Sequence, residues 1–349
     1  MHGLNTNETK STMEEKIRLA HGGGGRQGNR LVREIFLSRF GADDDVLPGD
    51  SALLDIQGQL LAFTTDSFVI DPLFFPGGDI GKLAVCGTVN DLSVAGAVPL
   101  VLSAGFIIEE GLSMDILNRV AESMARTAAM AGVKIVCGDT KVVNRGKCDK
   151  LFINTSGIGR LDEENRQISS GNNIIPGDRI LINGAVGSHG VAVMAARNQW
   201  ALDQVPHSDC AALNQMIRAV LESCKSVRFM RDATRGGVAG VLYEMVAGRD
   251  IGVTIEMDKV PMQEGAEALC EMLGFDPLAI ANEGKVIMVV DYKEAELAIE
   301  IMRRFDEGRE ADEIGEITDA DKGLVVAKLT TGVKRIIPEP EGELLPRIC

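Results

Sequence analysis

The first two hundred residues alternate between short apolar runs and helical-period stretches, and the second half repeats that alternation with different spacing. Arg30 to Phe40 reads as a helix stopped by Gly41, and Leu60 to Thr65 as a strand that delivers Asp66 at its end. Asp79 is placed to cap a helix from Ile80 to about Gly96, although Gly81 and Gly87 each cost such a helix roughly 1 kcal/mol relative to alanine. Glycines kept at that cost imply that something approaches the helix backbone closely. Further strands are expected at Leu100 to Ile108, Val133 to Cys137 and Leu151 to Ile158, with a helix over Met114 to Ala131.

In the second half the pattern predicts strands near Arg179 to Ile182, Gly252 to Met257, Lys285 to Val290 and Leu324 to Leu329. Helices are expected at Val191 to Arg197, Cys210 to Lys225, Gly237 to Ala247, Glu264 to Leu273 and Lys293 to Arg304. This mixture gives an α/β (α+β type) fold of two domains. The boundaries are a disordered lead over 1–13, a first domain over 14–161, a second over 162–331, and a flexible tail over 332–349. The tail holds prolines at 338, 340 and 346 and ends on the thiol of Cys349; fully extended, it spans on the order of 60 Å.

Composition changes this picture in three places. A net charge of −15 argues against a nucleic-acid partner bound through a basic surface. The stretch from Ala95 to Ile108 is too short for a membrane span and is broken by Pro99, and Met1 to Lys16 has no apolar signal core, so no membrane role and a cytoplasmic location are expected. Seven cysteines without a Cys-x-x-Cys pair are neither a disulfide framework nor a zinc site; Cys86, Cys137 and Cys270 read as buried small hydrophobes.

Candidate chemistry sits at small-residue positions. The loop His21-Gly22-Gly23-Gly24-Gly25-Arg26 can turn several backbone N–H groups toward an anion, or serve only as a hinge. Asp50, Asp66, Asp91 and Asp232 each lie beside small residues at an element's end or edge. Asp91 either faces solvent or, if buried, needs a partner. If the four converge, a divalent cation with oxygen ligands is the usual remedy for their repulsion, and Mg²⁺ held that way leaves positions open for phosphate oxygens. The residues by themselves take the reading as far as a Mg²⁺–nucleotide site. His189, in Gly187-Ser-His-Gly190, reads as structural.

The ordered series His21-Gly-Gly-Gly-Gly-Arg26, Gly49-Asp-Ser-Ala52, Thr64-Thr-Asp-Ser-Phe68, Phe74-Phe-Pro-Gly-Gly-Asp-Ile-Gly-Lys82, Gly87-Thr-Val-Asn-Asp-Leu92, Gly138-Asp-Thr-Lys141, Asp232-Ala-Thr-Arg-Gly-Gly237 and Pro346-Arg-Ile-Cys349 resembles the HypE family of hydrogenase maturation factors. Several of these motifs are shared with the wider aminoimidazole ribonucleotide synthetase and selenophosphate synthetase superfamily; the Phe-Phe-Pro-Gly-Gly-Asp loop and the Pro-Arg-Ile-Cys terminus are more specific. The resemblance implies a homodimer paired through the first domain's sheet, with ATP and Mg²⁺ as cofactors. It implies Asp50, Asp66, Asp91 and Asp232 as metal ligands, and His21, Gly22, Gly23, Gly24, Gly25, Thr65, Asn90 and Asp139 as nucleotide contacts.

The implied reaction is ATP-dependent dehydration of an S-carboxamide on Cys349 to a thiocyanate. The carbamoyltransferase HypF loads the thiol, and a HypC–HypD complex accepts the cyanide. Glu283 is then the base and Lys141 stabilises developing negative charge, the alternatives being a turn carboxylate and a structural salt bridge. Competing readings are a superfamily member that activates a free small molecule, and a non-enzymatic scaffold. A selenophosphate synthetase is expected to carry Cys or selenocysteine in the glycine loop, and none is there.

Overall fold

The computed structural model describes residues 16–23, 25–40, 49–200, 206–263, 265–342, 345 and 347–349. The expected lead over 1–13, Gly24 and Pro346 lie outside the described residues. Helix α1 (Gly25–Leu31) runs through a wide-turned segment, Val32–Leu37, into a last turn α2 (Ser38–Phe40).

The first sheet is built from β1 (Ala52–Ile56), β2 (Gln59–Phe68), β5 (Ala97–Glu109), β6 (Lys134–Val143) and β7 (Leu151–Leu161), in the order β1-β2-β7-β5-β6. A short hairpin, β3 (Phe74–Phe75) with β4 (Gly78–Asp79), leads into α3 (Ile80–Val94). Only β5 and β6 are parallel neighbours, and the crossover between them is α4 (Met114–Ala131), capped by Ser113 and ended by Gly132 in the left-handed conformation. Asp79 caps α3 as expected, its Oδ1 accepting from Gly81 N at 2.8 Å. The helix glycines are explained by packing: a Cβ on Gly81 would come within 2.5 Å of Val120 O on α4, and one on Gly87 within 2.9 Å of the Phe68 ring. Thus α3, almost wholly buried, is wedged between α4 and the inner face of the sheet.

Strands of the first sheet run longer than the sequence pattern suggests, and in two of them this moves candidate residues. β2 continues to Phe68, so Asp66 lies within it, and β6 continues to Val143, so Asp139 and Lys141 are strand residues rather than loop residues. Cys137 is exposed on β6, not buried; Cys86 and Cys270 are buried as expected.

The second domain contains β8 (Arg179–Ile182), α5 (Ser188–Asn198), α6 (Asn214–Ser223), β9 (Val227–Asp232), α7 (Gly237–Val246), β10 (Gly252–Glu256), α8 (Ala266–Leu273), β11 (Val286–Val290), α9 (Ala295–Met302), β12 (Asp312–Thr318), β13 (Val325–Lys328) and β14 (Lys334–Ile336). Its strands form one mixed sheet, β14-β13-β10-β12-β8-β11-β9. One face packs on α7 around Leu242, Met245 and Val289; the other packs on α6 and α9 around Ile217, Met288 and Ile301. The sheet extends past the expected boundary at 331, because Lys334–Ile336 adds an edge strand beside β13. A third cluster joins α3 and α4 of the first domain to α5 and α8 of the second, and buries Leu345 and Ile348 of the tail with them. The chain terminus is therefore packed where the two domains meet.

Candidate functional site

Strand alternation decides which side chains reach that junction. On β2, Thr64 and Asp66 point with Ala62 and Phe68 toward α3, while Phe63, Thr65 and Ser67 point to the opposite face. Asp91 comes up from α3, Asp50 from the turn before β1, and Asp232 from the last position of β9. One carboxylate oxygen each from Asp50, Asp91 and Asp232 lies within 4.8 Å of the others. Burial pushes the Asp91 carboxyl well above the usual range, and Asp66, Asp232 and Asp50 push it further. Burial does the same to Asp232, aided by Asp50 and Asp66, and raises Asp66.

The protein offsets only part of this repulsion. Thr64 Oγ1 donates to Asp91 Oδ2 at 2.7 Å, and Arg231 pairs with Asp50 at 3.1 Å and with Glu244 at 2.9 Å. The donor set is all carboxylate oxygen, largely buried and mutually repelling. That chemistry fits a hard divalent cation such as Mg²⁺.

Glu283, on the loop before β11, borders the cluster. It is 3% exposed, its N–H donates to Asp209 Oδ1 at 3.1 Å, and its Oε1 is buried with no hydrogen-bond partner among the described residues. Burial, then Asp232, Asp66 and Asp209, hold its carboxyl well above the ordinary range against the pull of Arg235. The Arg235 guanidinium in turn stays charged despite burial, because Cys349, Asp66, Glu283 and Asp91 all favour the cation. Its Nη1 donates to Gly22 O at 3.0 Å, which ties the glycine loop to the site.

The last residues lie antiparallel to 69–71. Val69 N donates to Cys349 O at 3.0 Å and Asp71 N to Arg347 O at 3.4 Å, while Arg347 pairs with Asp149. The glycine loop meets the tail's earlier part, Arg26 N donating to Pro340 O at 3.2 Å. Between them lies a cavity of about 780 Å³ walled by Gly23, Arg235, Tyr243, Phe275, Ile280 and Ile348.

The sequence-predicted residues thus divide. Asp50, Asp66, Asp91, Asp232, Glu283, Cys349 and, through Arg235, Gly22 of the glycine loop share one site. His21 keeps its own ring turned back, Nδ1 accepting from Arg18 N at 2.9 Å. Asn90 is adjacent, but its amide is engaged by the second domain: it accepts from Leu213 N at 2.8 Å and donates to Ala211 O at 2.9 Å. Thr65 lies on the opposite face of the sheet beside Asn154 and Ser156. By register Asp139 and Lys141 share that outward face, as an ion pair at 2.8 Å, each about two-thirds exposed (69% and 68%). Around them are exposed apolar side chains, Leu54, Ile56, Phe63, Ile107 and Ile158.

Sequence reasoning missed Arg231 and Arg235 as site residues, although Arg235 lies within the Asp232–Gly237 motif and Arg231 directly precedes it. It also missed Asp209 and set His189 aside, since nothing in a linear pattern links residue 189 to residue 348.

Two family models match the chain: AIR synthase related protein, N-terminal domain, over residues 48–161, and AIR synthase related protein, C-terminal domain, over residues 176–328. The carbamoyl dehydratase HypE of Rhodobacter capsulatus is 45% identical over 96% of this chain and 99% of its own length, and that of Escherichia coli is 44% identical over 95% and 99%. Among solved structures, a HypE–HypF complex gives a TM-score of 0.82 at 47% identity, covering 89% of this chain and 99% of that one. A HypE in complex with ATP gives 0.79 at 43% identity, covering 95% and 99%. Thiamine monophosphate kinase from Aquifex aeolicus, at 14% identity and a TM-score of 0.63 over 89% of this chain and 99% of that one, shares the fold alone.

Proposed function

The chain belongs to the AIR synthase related family and, within it, to the carbamoyl dehydratases HypE, and from that membership we propose that it converts an S-carboxamide on its own Cys349 to a thiocyanate, with ATP as co-substrate. The thiocyanate supplies cyanide for the iron of [NiFe]-hydrogenase. The observation that carries this reading is the position of the terminus: Cys349 is held against Val69 next to Arg235, whose charge is shared with Asp66, Glu283 and Asp91.

Amide oxygen is a poor leaving group and phosphate a good one. ATP therefore phosphorylates the carboxamide oxygen, and loss of phosphate with both amide protons leaves the nitrile carbon on sulfur. Asp50, Asp66, Asp91 and Asp232 would hold Mg²⁺, which would supply charge neutralisation at the phosphate oxygens. Glu283 takes the amide protons. Its buried carboxylate, repelled by Asp232 and Asp66, has a raised proton affinity, which suits a base. Arg235 keeps the glycine loop, residues 21–25, over the same site.

Lys141 stabilises negative charge on the activated oxygen, and Asp139 and Thr65 contact the nucleotide. All three lie on the outward face of the first sheet, so these roles belong to a homodimer in which the apolar face around Phe63 and Ile158 pairs with its counterpart. Asn90 borders the nucleotide and holds the second domain over it through Ala211 and Leu213. HypF loads Cys349 and a HypC–HypD complex takes the cyanide, in the cytoplasm. Among the described residues no helix is long and apolar enough to cross a membrane.

Purified protein should hydrolyse ATP in a Mg²⁺-dependent manner, and Asp91→Asn should abolish it. Undiminished hydrolysis in that variant would refute the assigned site.

A further inference from the structure

The Phe74-Phe-Pro-Gly-Gly-Asp79 loop and the Gly187-Ser-His-Gly190 turn have no part in the chemistry above, yet they meet at the tail. His189, in the first turn of α5, is 0% exposed. Its Nε2 lies 2.5 Å from Ile348 O, the carbonyl that precedes Cys349, and its Nδ1 lies 2.8 Å from Ser208 Oγ. A carbonyl only accepts, so Nε2 carries the proton. Burial lowers the ring's proton affinity, so the imidazole is neutral and Nδ1 must accept from the Ser208 hydroxyl. Ser208 Oγ itself accepts from Cys210 N at 3.0 Å, which leaves the hydroxyl proton free for His189. Every donor in the chain from Cys210 to Ile348 then points one way.

The ring is also fixed sterically. Phe75 meets it edge-on at 5.4 Å between centroids, and Pro76 O accepts from Ser208 N at 2.8 Å. Gly77 permits that approach: at φ +92° it is left-handed, and a Cβ there would sit 2.6 Å from Ser208 O. Arg197 adds a second hold one residue earlier, its Nη2 donating to Arg347 O at 2.6 Å and its Nε to Asp71 O at 2.8 Å. With Val69 N on Cys349 O, the main-chain oxygens of three successive residues are gripped. Because the grip is on backbone, it is indifferent to whether the sulfur carries hydrogen, carboxamide or cyanide.

We infer that His189, oriented by Ser208 and Phe75, is a positioning residue that seats the Cys349 terminus at the carboxylate site through the Ile348 carbonyl. This rests on the carrier role proposed for Cys349. The test is peptide-resolved mass spectrometry of iodoacetamide labelling in the full-length protein, followed by single-turnover dehydration of the loaded chain. His189→Leu should raise the labelling rate of Cys349 about 5-fold, as expected for one lost hydrogen bond, and slow dehydration by a similar factor without changing KM for ATP. His189→Gln, whose amide keeps an N–H donor, should restore both to within about 2-fold. Buried Cys224 should stay protected throughout and so report an intact fold.

Equal Cys349 labelling in the parent and His189→Leu, a His189→Gln as labile as His189→Leu, or unchanged dehydration in His189→Leu would each overturn the inference. Should His189→Leu expose Cys224, Ser208→Ala decides by the same labelling criterion, since it removes a single hydroxyl. If even the parent fails to dehydrate the carboxamide, the functional reading falls, and the labelling comparison still judges the seat.

Discussion

Thr64 Oγ1 lies 2.7 Å from the Asp91 carboxylate and 2.8 Å from Asp50 O, so its single hydroxyl proton is shared between two of the clustered acids. Thr64→Val keeps the shape and removes the hydroxyl. A hydrogen bond to a charged group contributes about 1.5–3 kcal/mol. The urea midpoint should accordingly report a loss of about 1–3 kcal/mol, with weaker Mg²⁺ binding by calorimetry. An unchanged midpoint would mean that the Asp91 charge is supported by something other than Thr64.

The same cluster sets a pH dependence with a definite sign. Asp91, Asp232 and Glu283 have folded-state pKa values raised above their unfolded ones. The folded protein therefore holds more protons than the unfolded chain above about pH 4, and metal-free stability falls as pH rises through the raised values. Mg²⁺ replaces those protons. Thermal unfolding should show the metal raising Tm more at about pH 8 than at about pH 5.5. A metal effect that is flat across that range would contradict the carboxylate site.

Glu283→Gln removes a buried carboxyl that its neighbours repel, so the variant should fold at least as stably as the parent and accept the carboxamide without dehydrating it. Lys141→Ala breaks an ion pair whose partners are both about two-thirds exposed (68% and 69%). Such pairs contribute about 0–1 kcal/mol to the fold of the single chain. Because this face is the one assigned to the homodimer, the variant's dimer is checked by size-exclusion chromatography, and a lost dehydration step in a variant that still dimerises reports chemistry. Intact mass after ATP addition distinguishes the outcomes; normal dehydration in either variant removes that residue from the mechanism.

Much of this arrangement is legible in the residues. The capped α3 with its two glycines, the need of Asp91 for a partner, and the placement of Asp50 and Asp232 at element ends follow from local rules, whereas Asp66 lies inside β2; the glycines prove to be contacts with Val120 and Phe68. The strands β9 and β12 were missed because Arg228, Arg231, Asp312, Glu313 and Glu316 dilute their apolar pattern, although they pair in the middle and at the edge of the second sheet. Asp139 and Lys141 read as a loop because Gly138 precedes them; pairing with β5 keeps that stretch extended. The role of His189 depends on a contact 159 positions away, which no local pattern encodes.

The central claim is that the terminal thiol carries the substrate. Intact and peptide mass spectrometry of the chain after incubation with carbamoyl phosphate and HypF, and then with ATP, tests it directly. The account predicts a carboxamide on Cys349 that loses one water on ATP addition; a modification at another residue, or a carboxamide that ATP leaves unchanged, would contradict it.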